Sequence, residues 1–276
     1  MTTMLLNAPA VRLPAAPVPA TRHLAQPSTR GFPSRWLVEV STHRTDALPL
    51  LIFPHAGAGP SPYRRLAQAT AGRFRPFVVH LPGRETRLED SPCRDLPSLV
   101  QPLARAVAPL LGSGFSFYGH SMGALLAFEL ARQLRRAYGI EPDHLVVSGH
   151  AAPRKPTSQL RHRLADDALW KAVCALLGTP TEVAADRQMQ EMLLPALRAD
   201  FEICETYQYR PEPALDCPIS TFAGDRDDEA PPSEMAEWAA ETRSAYRQQT
   251  LPGDHFFNLS DGGFPARLLQ TFDYPQ

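Results

Sequence analysis

A serine, a histidine and several aspartates occupy positions from which they could carry out nucleophilic catalysis. Residues 119–123 read GHSMG, a G-x-S-x-G pattern between an apolar run and a stretch with helical periodicity. A serine hydroxyl is a weak nucleophile until a base takes its proton, and a sharp turn from strand to helix exposes the hydroxyl to such a base. The pattern therefore predicts that Ser121 is a nucleophile at an elbow. The alternative is a chance match, a glycine-rich turn with a solvated serine.

The base and the acid that would activate this serine lie later in the chain. Of nine histidines, His255 alone lies in a loop beyond both Ser121 and a late carboxylate. A loop with the sequence GDRDD supplies that carboxylate; we choose Asp227, and Asp225 and Asp228 remain alternatives. The carboxylate of a triad orients the histidine and stabilises its imidazolium form. The chain order serine, aspartate, histidine is the one expected of hydrolases with a nucleophile elbow.

Two backbone amides are candidates for holding a developing oxyanion. The Met122 amide lies at the start of the helix that follows the elbow, where N–H groups point outward. The Ala56 amide lies in a loop with the sequence PHAGAG after an early apolar run, where such hydrolases place their second donor. Glycine-rich loops also bind phosphate, but this one has neither G-x-G-x-x-G nor Walker spacing. Its alternative interpretation is a tight turn that needs small residues.

Two arginines, Arg84 and Arg87, lie in a predicted loop with the sequence PGRETR. They could bind an anion on a substrate or partner. Charged residues on loops are more often solvated than functional, so we expect both side chains to be solvated.

Apolar runs alternate with helical patterns along most of the chain, which predicts a mostly parallel sheet covered by helices on both faces. The predicted strands are an edge strand at 36–40, then 48–53, 77–81, the run that ends at the elbow, 144–149, 217–223 and 246–251. The predicted helices cover 63–71, 96–111, 125–134 and a segment through 235–238. Between about residues 154 and 210 the alternation stops, and helical patterns at 164–177 and 189–207 predict a lid insertion. The alternative is a helical subdomain that only stabilises the fold.

Composition narrows the classes of protein further. The chain of 276 residues has a formal net charge of −1, with no basic cluster of the kind that binds nucleic acid or anionic membranes. No apolar run reaches the roughly 18 residues of a membrane span. Four widely spaced cysteines lack metal-site spacing and are expected to be reduced thiols of a cytoplasmic protein.

Prolines throughout residues 1–35 predict a disordered N-terminal extension. A targeting segment is the less favoured interpretation of these residues.

Five motifs together resemble the type II thioesterases that accompany polyketide synthases and nonribosomal peptide synthetases. They are FPHAG, LPGRE, GHSMG, LPALRAD and GDHFF, beginning at residues 53, 81, 119, 194 and 253. The resemblance covers residues from about 36 to 276, and implies an α/β-hydrolase fold with a helical lid insertion. It implies a free-standing enzyme that hydrolyses acyl groups from the phosphopantetheine arm of acyl or peptidyl carrier proteins, removing stalled or misprimed chains.

The resemblance also implies roles for single residues. The nucleophile of the family falls on Ser121, its histidine on His255, its acid most naturally on Asp227, and its oxyanion amides on Ala56 and Met122. No metal or soluble cofactor is implied, because phosphopantetheine arrives with the carrier protein. The sequence departs from the family in its proline-rich N-terminus and in Asp254, which replaces the usual glycine before the histidine.

Two other functions remain open at this stage. A small-molecule carboxylesterase or an acyl-CoA thioesterase would use the same triad, and a catalytically inactive binding protein could share the scaffold. We expect a monomer whose partner is a carrier protein, with no nucleic-acid or membrane partner.

Overall fold

The computed structural model describes residues 34–40, 46–112, 114–157, 159–179 and 181–273. The predicted disordered extension over residues 1–35 lies outside these ranges except for its last two residues.

The strands of the described chain form one seven-stranded sheet in the order β1-β3-β2-β4-β5-β6-β7. Their bounds are β1 (Leu37–Glu39), β2 (Pro49–Phe53), β3 (Arg75–Val79), β4 (Ser116–His120), β5 (His144–Ser148), β6 (Ile219–Gly224) and β7 (Tyr246–Leu251). β1 is antiparallel to β3, and every other neighbouring pair is parallel. This is the mostly parallel sheet that the sequence predicts, with the predicted edge strand at its edge.

Helices connect the strands, as a parallel arrangement requires. In the described ranges they are α1 (Arg64–Thr70), α2 (Leu96–Val107), α3 (Met122–Tyr138), α4 (Asp166–Leu177), α5 (Thr181–Ala184), α6 (Arg187–Glu205), α7 (Pro232–Met235), α8 (Phe257–Ser260) and α9 (Phe264–Thr271). Sequence reasoning did not predict α8 and α9. None of the helices in these ranges is both long and apolar enough to cross a bilayer.

Two hydrophobic clusters cover the two faces of the sheet. Successive side chains of a strand point to opposite faces, and in β2 Leu51 and Phe53 join the cluster built with α2 and α3. Leu50 and Ile52 join the other cluster, which contains residues of α1 and α9. β2 is therefore buried on both faces, which explains why it reads as a continuous apolar run rather than an alternating one.

The helices α4, α5 and α6 lie between β5 and β6 and are called the helical insertion below. Leu169, Trp170 and Val173 of α4 pack against Leu194 and Leu197 of α6 in a third, separate hydrophobic cluster. The Asp186 side chain caps α6 by accepting the Met189 N–H. The insertion therefore has a small core of its own, while Ile203 near the end of α6 joins the core of the sheet.

All four cysteines lie in the described ranges and carry free thiols. Cys174 and Cys217 are buried, while Cys93 and Cys204 are partly exposed. Burial raises the pKa of Cys217 to about 12, so this thiol is protonated and unreactive near neutral pH.

Candidate active site

A sharp turn places Ser121 between β4 and α3. Its φ of 54° and ψ of −125° lie in a region that side-chain-bearing residues rarely adopt. The flanking glycines make this turn possible, because a Cβ on Gly119 would lie 2.3 Å from the Gly123 carbonyl oxygen. A Cβ on Gly123 would lie 2.0 Å from the Phe53 carbonyl oxygen. The sharp turn from strand to helix that the sequence predicts is therefore present, and the role of Ser121 as a nucleophile stays a prediction.

The structure brings Ser121, His255 and Asp227 together. His255 Nε2 lies 3.1 Å from Ser121 Oγ. His255 Nδ1 lies 3.0 Å from each carboxylate oxygen of Asp227. The three residues follow β4, β7 and β6, and the carboxyl ends of parallel strands meet at one edge of the sheet. The serine hydroxyl, imidazole and carboxylate thus form the hydrogen-bonded series that a catalytic triad needs.

The three aspartates after β6 have different environments. Asp227 is 3% exposed, and its Oδ1 also accepts the N–H groups of Glu229 and Ala230. Asp225 is exposed, and its carboxylate accepts the Gly253 N–H. Asp228 is exposed at the rim of the cavity described below. Only Asp227 of the three contacts His255 in the described structure, so geometry favours the first choice of sequence reasoning over both alternatives.

The two predicted oxyanion amides follow neighbouring strands, Ala56 in the loop after β2 and Met122 at the start of α3 after β4. β2 and β4 pair with Phe53 opposite Gly119, and each candidate lies three residues beyond its member of this pair, Ala56 after Phe53 and Met122 after Gly119. Both residues line the cavity that contains Ser121. Met122 is the first residue of α3, where N–H groups have no intrahelical acceptor. This arrangement suits two amides that hold one oxygen.

The prediction for Arg84 and Arg87 was wrong, because neither side chain is solvated. Arg84 is 2% exposed and forms a bidentate ion pair with Asp200 of α6, with distances of 2.7 and 3.0 Å. Arg87 donates to the His80 carbonyl oxygen and to Asp90. The anion that Arg84 binds is therefore a carboxylate of the chain itself, 116 residues away. Such a distant partner cannot be recognised from the composition of a loop.

Sequence reasoning also missed two buried histidines beside the triad. The ring centroids of His120 and His255 lie 5.1 Å apart. The Nδ1 atom of His120 lies 2.8 Å from Ser148 Oγ. His55 Nδ1 lies 2.8 Å from the Tyr63 hydroxyl. Burial lowers the pKa of His55 to about 3 and holds the pKa of His120 well below its usual range. Both rings are therefore neutral near pH 7, and neither adds positive charge next to His255.

Asp254, the departure from the family pattern, contacts its own loop. The carboxylate accepts the Phe256 N–H at 2.9 Å, while the neighbouring Gly253 has a φ of 143°. Asp254 is exposed and helps to shape the turn that presents His255.

A cavity of about 310 Å³ opens above Ser121 and His255. One wall is apolar and comes from the helical insertion; it contains Val173, Leu176, Leu177, Leu197 and Phe201. The polar part includes Lys155 and Arg161, which pair with Glu234 and Glu229 respectively. A volume of this size with an apolar wall is typical of a small-molecule site and suits an acyl chain next to a polar linker.

No cluster of three or more histidine, cysteine or acidic side chains in the described ranges is arranged to hold a metal ion. The expectation that no cofactor is needed stays a prediction.

Known proteins resemble this chain over most of its length. A family model described as a thioesterase domain matches residues 48–273. The gramicidin S biosynthesis protein GrsT of Aneurinibacillus migulanus is 36% identical over 81% of this chain and 88% of its own length. Thioesterase PikA5 of Streptomyces venezuelae is 34% identical over 80% of this chain and 79% of its own.

One solved structure is similar to this chain in both sequence and fold. The type II thioesterase BorB from the borrelidin biosynthetic cluster superposes with a TM-score of 0.80 at 34% identity, covering 86% of this chain and 97% of BorB.

Proposed function

The chain belongs to the thioesterase family, and we propose that it is a type II thioesterase in which Ser121 attacks a carrier-bound acyl thioester. His255 is the general base in this proposal, and Asp227 orients it. The observation that carries the residue assignment is the hydrogen-bonded series from Ser121 Oγ through His255 to Asp227.

The first half of the reaction forms an acyl-enzyme. His255 Nε2 takes the proton of Ser121 Oγ as this oxygen bonds to the thioester carbonyl carbon. The Ala56 and Met122 amides donate hydrogen bonds to the oxyanion. When the tetrahedral intermediate collapses, the C–S bond breaks and His255 returns the proton to the pantetheine sulfur. The products are the acyl-serine ester and the free thiol of the arm.

The second half regenerates the enzyme. His255 takes a proton from a water molecule as that water attacks the ester carbonyl, and the same two amides hold the second oxyanion. The C–Oγ bond then breaks, and the proton on His255 goes to Ser121. A carboxylic acid leaves, and no metal or soluble cofactor takes part in the proposed steps.

We propose a carrier protein as the partner because the similar proteins include the gramicidin S biosynthesis protein GrsT and a type II thioesterase from the borrelidin biosynthetic cluster. A phosphopantetheine arm is long and polar and carries an apolar acyl group at its end. The cavity offers charged residues and an apolar wall in the same opening, which supports this substrate class.

The direct test is the variant Ser121→Ala, assayed on acyl carrier proteins by mass spectrometry of the carrier. We expect kcat to fall on the order of 10³-fold or more, and a fluorophosphonate probe to label wild type but not the variant. Wild-type turnover by Ser121→Ala would rule out the proposed mechanism.

The same assay separates the alternative functions. If wild type hydrolysed nitrophenyl esters or acyl-CoA far faster than carrier-bound acyl groups at matched concentrations, a small-molecule esterase or acyl-CoA thioesterase would replace the proposal. If wild type neither turned over any of these substrates nor reacted with the probe, an inactive binding protein would replace it.

A further inference from the structure

Asp200 is a buried carboxylate that the proposed reaction does not use. It lies on α6 and is 1% exposed. Its Oδ2 accepts the Gly57 N–H at 2.7 Å and Arg84 Nη1 at 2.7 Å, and its Oδ1 accepts Arg84 Nη2 at 3.0 Å. A buried ion pair is costly unless further hydrogen bonds satisfy it. Here one such bond goes to a backbone amide of the loop that contains Ala56.

Arg84 also contacts this loop. Its Nη1 lies 3.4 Å from the Ala58 carbonyl oxygen, and its Nε donates to the Pro82 carbonyl oxygen at 3.2 Å. Together the two charged side chains hold the N–H of Gly57 and the C=O of Ala58. These groups belong to the two residues that directly follow Ala56.

The turn transmits this constraint to the Ala56 amide. The Ala58 N–H donates to the His55 carbonyl oxygen at 3.1 Å. That carbonyl and the Ala56 N–H belong to the same peptide unit, which is planar. Fixing the His55 carbonyl therefore fixes the direction of the Ala56 N–H.

Packing reinforces the connection between α6 and this loop. Leu197, three residues before Asp200 on α6, lies so close to Gly57 that a Cβ there would be 2.3 Å from Leu197 Cδ2. Gly57 has a φ of 78°, which favours glycine. Leu197 also lines the cavity, so one helix both bounds the acyl site and holds the loop.

We propose that Asp200, held by Arg84, is a positioning residue that aims the Ala56 amide at the oxyanion. This inference rests on the proposed function, because it requires the Ala56 amide to act in catalysis. It gives the helical insertion a second role besides forming a cavity wall. Movement of α6 away from the sheet would release the Gly57 N–H and disturb the oxyanion site.

The test compares Asp200→Asn with wild type. Asparagine keeps the volume and one acceptor oxygen but cannot hold both the bidentate arginine and the Gly57 amide as a carboxylate does. Small misplacements of catalytic groups and losses of oxyanion donors cost about 10- to 1000-fold in rate. We expect kcat on an acyl carrier protein to fall about 10- to 100-fold, with KM changed by less than about threefold.

A second measurement distinguishes a misdirected Ala56 amide from a general loss of folded protein. A trifluoromethyl ketone analogue of the acyl chain forms a tetrahedral adduct with the serine, and its oxygen occupies the oxyanion site. The inhibition constant of this analogue should rise by about the same factor as kcat/KM falls. A purely structural defect would reduce the folded fraction without weakening inhibitor binding to the molecules that fold.

Glu202→Gln is the matched control. Glu202 lies on the same helix two residues on, and it pairs with Arg94 at 3.0 Å. This pair also joins α6 to the rest of the chain but does not touch the loop. Its loss should leave kcat and the inhibition constant within about threefold of wild type.

The double variant Arg84→Met with Asp200→Leu covers the case in which Asp200→Asn does not fold. Replacing both members of a buried pair by apolar residues often preserves stability, so we expect a folded protein with the same loss of kcat. The inference is overturned if either folded variant keeps kcat and the inhibition constant within about threefold of wild type. If that result accompanies an inactive Ser121→Ala, the proposed function stands and only the role of Asp200 fails.

Discussion

The carboxylate behind His255 illustrates what decides function at the scale of single residues. Three aspartates occur within four positions after β6, and residue type alone cannot distinguish them. Asp227 differs because the chain turns back on it, so that the Glu229 and Ala230 amides and His255 all surround one buried carboxylate. Asp225 is directed to the Gly253 amide instead.

We expect Asp227→Asn to lower kcat by about 10⁴-fold, because an amide in this position favours the wrong tautomer of the histidine. Steady-state hydrolysis of an acyl carrier protein measures the loss. Asp228→Asn is the control, an exposed aspartate at the cavity rim, and should keep near wild-type kcat. The assignment of the acid would fail if Asp228→Asn were the impaired variant and Asp227→Asn were not.

The other residues of the site differ in whether the sequence alone is enough to identify them. Ser121 and His255 could be identified because a motif and the chain order point to them. Arg84 and Asp200 could not be paired in advance, because they are 116 residues apart in the sequence. His55 and His120 could be located in motifs, but their burial and neutrality depend on how the helices close over the sheet.

At the scale of elements, the apolar runs predict the strands, because a strand that is buried on both faces needs apolar side chains at consecutive positions. α8 and α9 were missed because they are short, with four and eight residues, and short helices depend on tertiary packing more than on local pattern. Phe264 and Leu268 of α9 supply that packing against the second face of the sheet. The helical insertion was predicted from periodicity, but its contacts with the loop of Gly57 were not.

The apolar wall of the insertion should set the acyl-chain preference. Leu176 is partly exposed and lines the cavity, so Leu176→Trp would fill space that a longer chain needs. Each buried methylene contributes roughly 0.8 kcal/mol. We therefore expect kcat/KM to fall about tenfold or more for long acyl chains, with little change for acetyl.

A panel of acyl carrier proteins of increasing chain length measures this change in preference. Met192→Trp serves as the control, because Met192 is 44% exposed on α6 and does not line the cavity. Equal losses for short and long chains in Leu176→Trp would show that the wall does not select by length.

At the scale of the whole molecule, the buried histidines link stability to pH. Burial lowers the pKa of His144 from 6.5 to about 4, and His55 and His120 are shifted in the same direction. A lowered folded-state pKa means that the unfolded chain binds the proton more readily. These histidines therefore do not reduce the free energy of unfolding above about pH 6.5. Below that pH they reduce it progressively, as the pH falls towards the folded-state pKa.

His144→Gln isolates this effect at a site distant in the chain from the triad. His144 Nε2 lies 2.9 Å from Ser220 Oγ, and glutamine keeps a polar group there without titrating. We expect the stability advantage of wild type over the variant to shrink by about 2 kcal/mol between pH 6.5 and pH 4.5. Urea unfolding at several pH values measures it, and the carboxylates that also titrate cancel in the comparison. A constant difference across this range would contradict the prediction.

The long sequence distances within the active site have a consequence for how the chain acquires activity. Ser121 and His255 are 134 residues apart, and Gly57 and Asp200 are 143 apart. Contacts between distant segments form slowly, because the intervening chain must lose its freedom first. A refolding chain could therefore complete α3 and bury much of its apolar surface while it still lacks a functional nucleophile. The return of hydrolysis would report the arrival of β7 and α6, later than fluorescence or circular dichroism report the collapse of the core.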